Sequence, residues 1–322
     1  MKQNLKPVKT SDGSYTFFSP EYDECYHSVK GGAILESFFK FSLPLYKDLK
    51  NKIEKNKIKS IKVLDIGFGL GYNILSLIYL WKKYFPFIRL EIISLEKDKN
   101  LVDILNWENL PDKLKMFSYI LETLKKTKEK IYFLGFPSAL YLNEKLEINL
   151  IFEDLRKVFL RFKKLNIKFD YIFHDAFSFL KNPEAWSYEV FLYEKNFLKN
   201  KGKIFTYACA KPIKRALLEL GFSLKLNRIT ETYFKENLKK LIYELNLEFS
   251  VPEKYKKNPL KAIFEIFERH PGLEAKKDNL SKADLELLES LKKDKKSIFY
   301  RDTVFLNRSP KLIKLNREKS LK

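Results

Sequence analysis

The sequence predicts an α/β fold built on a doubly wound, mainly parallel sheet. Three observations carry that reading. Short apolar strands alternate with helical stretches from residue 61 to about 226, a glycine-rich loop follows the first of these strands, and acidic residues stand at the ends of the next ones. Alternation of this kind is the mark of right-handed βαβ crossovers.

Residues 1–60 read as an N-terminal extension: an aromatic-rich segment (Tyr15, Phe17, Phe18, Tyr22, Tyr26), then Gly31-Gly32 and an amphipathic run, Ala33–Phe41, that ends before Pro44. Lys50–Ser60 is a charged connector. The Rossmann-like part, 61–229, opens with a buried strand, Ile61–Ile66, and a helix over Tyr72–Phe85 with apolar residues at helical spacing. Arg89–Leu95 is the second strand, ending on Glu96. A mainly helical interval, Lys99–Lys128, and an apolar stretch, Ile131–Tyr141, lead to the third, Leu146–Phe152, ending on Glu153-Asp154. After a helix at Leu155–Lys164, Phe169–His174 is the fourth strand, ending on Asp175. A helix opens near Pro183, where proline suits a first turn. Lys203–Tyr207 and Phe222–Leu226 are the fifth and sixth strands, flanking a helix at Ile213–Leu220. Residues 230–322 read as a separate, mainly helical C-terminal extension. It has helices at Glu231–Leu247, Pro259–Glu268 and Ser281–Lys293, a strand at Ile298–Leu306 and a basic tail.

With 322 residues and 45% hydrophobic composition the chain can bury a substantial core. Its longest charge-free apolar run, Ile66–Trp81, is too short and too glycine-punctuated to span a membrane. Met1–Lys6 lacks the apolar stretch of a secretory signal, and the chain reads as cytoplasmic. Cys25 and Cys209 stand far apart, and with three histidines they make a metal site an unfavoured reading. The formal charge of +21 draws polyanions. A Lys-rich compositional bias or heat adaptation accounts for the same excess.

Ligands of doubly wound sheets bind beyond the carboxyl ends of the strands, where strand order reverses. The first such loop is Gly67-Phe-Gly-Leu-Gly71, whose glycines permit a tight turn and close approach to a ligand. A dinucleotide fits poorly, because its fingerprint is G-x-G-x-x-G and Asp65 just ahead of the loop would oppose a pyrophosphate. An acid there suits S-adenosylmethionine, which carries an ammonium and no phosphate. Glu96 is placed to accept the ribose hydroxyls, and Asp154 a hydrogen bond from the adenine amino group. At the fourth strand end, Asp175 is the candidate to hold and orient an amine nucleophile for in-line methyl transfer, or to accept its proton. Phe177 and Trp186 could wall a planar substrate. His174, one residue earlier on the strand, points to the opposite face.

These residues resemble the methyltransferase domain of the MnmC family of tRNA wobble-uridine enzymes, in the stand-alone form without the flavin oxidase domain. The likeness rests on Tyr26–Ser37, on Val63-Leu-Asp-Ile-Gly-Phe-Gly-Leu-Gly-Tyr-Asn73, on His174-Asp-Ala-Phe-Ser, on Lys181-Asn-Pro-Glu-Ala-Trp186 and on Gly202–Phe222. It covers residues 10–226, with Tyr300-Arg-Asp302 echoing a terminal motif in which Thr303 replaces proline. The resemblance implies a class I S-adenosylmethionine-dependent methyltransferase that converts 5-aminomethyluridine, with or without 2-thiolation, to 5-methylaminomethyluridine in the tRNA anticodon. It implies no FAD and no metal. By motif position Asp65, Gly67, Gly69, Gly71 and Glu96 would serve the cofactor and Asp175 the amine, and Lys181 and Trp186 could touch the anticodon; Asn73 and Asp154 are further candidates for the cofactor, and Phe177 and Asn182 for the substrate. One departure is Leu226-Asn-Arg228-Ile, which stands where many members carry a basic stretch.

Rival readings are an aminopropyltransferase resembling spermidine synthase, a methyltransferase of other amines, and a non-catalytic RNA-binding protein. A polyamine enzyme would want a further acid beside Asp175, and Ala176-Phe177-Ser178 supplies none.

Overall fold

The structure, a computed structural model, describes residues 6–55, 58–107 and 110–320. The reading of the extreme N-terminus therefore falls largely outside the described residues. Three short strands come first: β1 (Pro7–Lys9), β2 (Tyr15–Ser19) and β3 (Glu24–Cys25) form a small antiparallel sheet. It is pinned to the body by Asp12, which is buried and accepts from the Leu35 N–H at 2.8 Å and from Thr10 Oγ1 at 2.8 Å. The segment it anchors carries Tyr22, Glu24 and Tyr26.

The main sheet has nine strands: β4 (Ser60–Ile66), β5 (Arg89–Glu96), β6 (Ile131–Phe133), β7 (Phe136–Leu142), β8 (Leu146–Phe152), β9 (Phe169–His174), β10 (Leu198–Thr206), β11 (Phe222–Asn227) and β12 (Gly272–Lys277). Their order is β11-β12-β10-β9-β4-β5-β8-β7-β6. The central five, β10-β9-β4-β5-β8, run parallel. The chain moves outward from β4 to β5 and β8, then returns to β9 on the other side of β4. The switch point therefore lies between β4 and β9, where ligands bind in open α/β sheets.

Side chains alternate across the strands and build an apolar layer on each face. Val63 and Phe173 join the layer holding Phe39, Ile74, Leu121, Phe234 and Phe267, whereas Leu64 and Ile172 join the layer holding Phe159, Phe191, Leu217 and Ile313. The helices Thr232–Leu245 and Pro259–Arg269 thus cover the same face as the helix Tyr72–Tyr84.

This corrects the expectation of a separate helical extension after residue 229. The sheet does not stop there, because β12 inserts antiparallel between β10 and β11. Its sequence, Gly-Leu-Glu-Ala-Lys-Lys, hides the strand, since Glu274 is spent on an ion pair with Lys203 that is itself held by Asp48. Ile298–Leu306 is not a strand; a single bridge from Tyr300 to Ser187 is its share of pairing. Ile131–Tyr141 is a hairpin turned by Leu134-Gly135, both at positive φ (55° and 89°) as a type I′ turn requires. The break expected before Pro44 is a π-turn, Phe38–Ser42, inside one helical run from Ala33 to Lys55. The wide turn accommodates a proline with no N–H to give. That run also absorbs the first half of the connector expected at Lys50–Ser60.

Candidate active site

The glycine loop closes β4. Gly67, Gly69 and Gly71 all sit at positive φ (88°, 51° and 76°), which an L side chain adopts only under strain. Two of them are also enclosed. A Cβ on Gly67 would lie 2.6 Å from the Asp175 carbonyl oxygen, and one on Gly71 would lie 2.6 Å from Trp107. Loop and neighbouring strand are thereby pressed together, and the Asp175 N–H donates to the Ile66 carbonyl at 2.9 Å. Glu96 supports the loop from the end of β5. Its carboxylate accepts from Gly69 N–H at 3.0 Å and from Asp98 N–H at 2.8 Å. Burial pushes its pKa up to about 7, with those two N–H groups pulling it back.

Asp175 follows β9 directly. Asn73, in the first turn of the helix after the loop, donates from Nδ2 to Asp175 Oδ2 at 2.7 Å. Burial first, then the negative charge of Glu36, raises the Asp175 pKa to about 7, while Asn73 and Lys40 oppose the rise. The remaining carboxylate oxygen borders a cavity of about 670 Å³ bounded by the ends of β4, β5, β8 and β9 and by the N-terminal segment. Gly67, Gly69, Glu96, Asp154, Asp175 and Phe177 line it. Among the described residues its charged lining consists of acids and one cation, Lys97. Such a wall repels phosphates and attracts cationic groups.

The other expected residues fall as follows. Asp65 is fully buried beneath the loop, with Oδ2 accepting from Ser94 at 2.5 Å and Oδ1 without a hydrogen-bond partner among the described residues. Burial holds its carboxyl well above the usual carboxylate range. Asp154 caps the helix Leu155–Leu165 and is gripped by Arg156, whose N–H reaches Oδ1 at 2.9 Å and whose Nη2 lies 3.4 Å from Oδ2. Asn182 lines the cavity, whereas Lys181 does not and is paired with Asp23 at 2.6 Å.

Trp186 is a correction. Its side chain is 0% exposed, its Nε1 donates to the Phe177 carbonyl at 2.6 Å, and its ring packs 4.2 Å from His174. It cannot touch an anticodon; it braces the segment that carries Phe177. His174 is on the opposite face, as strand parity requires, buried against Glu194 at 2.6 Å.

The missing acid beside Asp175 is a second correction. Glu24 and Glu36, from the N-terminal segment, stand close enough for their charges to raise the Asp175 pKa, and Glu24 accepts the Ser178 N–H at 2.9 Å. Reading along the β9 loop could not find them, because they reach the site through the tertiary fold. Tyr22, Tyr26 and His27 were missed as cavity residues for the same reason. Tyr22 stacks on Phe177, with centroids 4.3 Å apart. The aromatic richness of the N-terminal segment was the available signal.

The residues present fit S-adenosylmethionine. The loop glycines leave the ligand side of β4 free of side chains, and the acid lining matches a dication with one carboxylate; Asp65, fully buried and outside the cavity lining, supports the loop from beneath. Among the described residues, no helix is long and apolar enough to cross a membrane.

Comparison with known proteins agrees with this geometry. Residues 119–231 match the family model described as S-adenosyl-L-methionine-dependent methyltransferase. An uncharacterized protein of Methanocaldococcus jannaschii is 28% identical over 222 residues, 69% of this chain and 55% of its own length. The tRNA 5-methylaminomethyl-2-thiouridine biosynthesis bifunctional protein MnmC of Campylobacter fetus is 30% identical over 205 residues, 62% of this chain and 31% of its own length. The chain therefore spans about half of the first relative and about a third of the second. The crystal structure of MnmC2 from Aquifex aeolicus superposes with a TM-score of 0.72 at 26% identity, covering 99% of this chain and 85% of that one. In sequence and in fold the chain is thus similar to S-adenosylmethionine-dependent methyltransferases, and among them to the methyltransferase region of MnmC.

Proposed function

We propose that this enzyme N-methylates 5-aminomethyluridine, or its 2-thio form, at the wobble position of tRNA, giving the 5-methylaminomethyl product. The observation that carries the reading is Asp175: it is held by Asn73 at the switch point, next to the glycine loop, in a cavity lined by acids. S-adenosylmethionine supplies an electrophilic methyl group on a positively charged sulfur. Glu96, Gly67 and Gly69 would hold it, with Asp65 beneath the loop.

The chain's own residues then have three tasks. The acids draw in the substrate amine, which is largely protonated in water, with a pKa of about 10 for an alkylamine. Asp175 accepts a proton or a hydrogen bond from that amine and aims the lone pair. A carboxylate raised to about 7 by burial is a far better base for this task than an exposed one. Phe177, stacked on Tyr22, presents an aromatic wall beside Asp175 for a planar base. The +21 charge of the chain supplies attraction for the tRNA backbone, while eight of its 41 acids line the cavity.

The MnmC likeness favours this substrate over polyamines, although Glu24 and Glu36 remove the earlier objection to a polyamine site. The test is to incubate tRNA bearing 5-aminomethyluridine with the enzyme and labelled donor, then digest it to nucleosides. Label in 5-methylaminomethyluridine supports the assignment; label only in added spermidine or protein rejects it.

A further inference from the structure

We propose that Glu184 makes the cavity specific for a 6-aminopurine, by accepting the second hydrogen of an exocyclic amine whose first faces Asp154. The inference rests on the reading that the cavity holds the adenosyl part of S-adenosylmethionine.

Glu184 lies on the short 3₁₀ turn Pro183–Trp186, which follows the Asp175 loop and folds back toward the end of β8. It is 6% exposed and Asn182 is 8% exposed, yet both line the cavity beside Asp154 and Lys97. The turn is fixed from behind. Trp186 is fully buried and tied to Phe177, and Tyr300 pairs with Ser187 just beyond it. The backbone that carries the acid is therefore held at the wall.

Its hydrogen bonding is incomplete. Besides a contact from its own backbone N–H, the carboxylate receives a long 3.4 Å contact at Oε1 from Asn182 Nδ2, and Oε2 and Asn182 Oδ1 have no partner among the described residues. Buried acceptors are normally satisfied, so two orphans on one cavity wall point to a donor brought by the ligand. Burial also raises the Glu184 pKa, which a ligand N–H would counter. Asp154, across the same end of the cavity, has both oxygens engaged by Arg156 and only part of its capacity left. A ring amino group carries two coplanar hydrogens, enough to serve both acids. An oxo group at that position would set its lone pairs against two acceptors. A site built for an N–H rejects an analogue without it, because its own groups stay unpaired.

The test compares binding of S-adenosylhomocysteine and S-inosylhomocysteine to the full chain by calorimetry. Wild type should prefer the adenosyl compound by roughly 100-fold. In Glu184→Gln the amide can turn its NH₂ toward an oxo group, and the preference should narrow by about 10-fold or more. Glu184→Ala should narrow it too, with folding checked by circular dichroism. Variants that bind both compounds with the wild-type ratio overturn the proposal, as does a wild-type ratio near one, which needs no variant to fold. Wild type binding neither compound would instead overturn the cofactor reading on which the proposal stands.

Discussion

Asn73 and Asp175 meet across 2.7 Å, joining the helix after the glycine loop to the acid at the end of the neighbouring strand. The contact fixes one carboxylate oxygen and leaves the other for a ligand. It also makes the glycine loop and Asp175 a single unit, so displacement of one displaces the other.

The first consequence concerns turnover. Asp175→Asn keeps the shape and can still accept from Asn73, but it loses the charge that draws and deprotonates an ammonium. We expect kcat to fall by about 10²–10⁴-fold, with the affinity for S-adenosylhomocysteine changed no more than a few fold. Calorimetry beside steady-state kinetics separates the two quantities. Equal loss of both would make Asp175 a cofactor ligand.

The pH profile follows from the same group. Asp175 must be ionised to receive the amine's proton, so kcat/KM should rise through a pKa near 7, the value to which burial lifts it. The rise should be absent in Asp175→Asn.

Stability should run the other way. The folded-state pKa values of Asp175 and Glu96 are raised to about 7, so between the unfolded value and 7 the folded state binds more protons. Stability contributed by these groups is therefore present below the unfolded pKa and lost as pH rises through 7. Without ligand, Asp175→Asn should melt with wild type near pH 4 and above it at pH 8, by about 2–4 °C for each kcal/mol relieved. Thermal scans at the two pH values check the sign.

Gly67→Ala tests the packing of the loop against β9. Its Cβ would stand 2.6 Å from a carbonyl oxygen at φ +88°, a clash with backbone on top of a strained conformation of about 1–3 kcal/mol. The variant should lose S-adenosylhomocysteine binding by about 10-fold or more, because the Asp175 carbonyl must retreat. Unchanged binding in calorimetry would show that the loop is not pressed as described.

Arg156 tests whether the C-terminal segment belongs to the site wall. It bonds Asp154 on the cavity side, and Asp302 (3.3 Å) and the Arg308 carbonyl (3.0 Å) on the other. Asp302 is fully buried, so Arg156→Met strands a carboxylate and should cost about 3–5 kcal/mol in urea unfolding. Asp302→Asn, which strands no charge, should cost clearly less.

Four of the five parallel strands, β4, β5, β8 and β9, were legible because each is an apolar run closed by a glycine or an acid. Gly67, Glu96, Asp154 and Asp175 stand at the ends of β4, β5, β8 and β9 for the same reason. What escaped was whatever depends on the third dimension. The β12 strand is disguised by Glu274, Lys276 and Lys277, whose charges are paired or bonded in the fold. Leu134 occupies a left-handed turn position where Asn or Gly would have signalled a hairpin. Glu24, Glu36 and Tyr22 come from more than 130 residues away in sequence. Trp186 looked available to a substrate because nothing in a local reading shows that Phe177 and His174 enclose it.

The central claim is that the cavity brings S-adenosylmethionine to an amine carried on tRNA. It is tested most directly by initial rates of methyl transfer to one tRNA in two states, with 5-aminomethyluridine or with unmodified uridine at the wobble position, beside free spermidine. Transfer to the aminomethyl tRNA alone, lost in Asp175→Asn, is the predicted result. Equal transfer to both tRNAs, or transfer to spermidine alone, would contradict it.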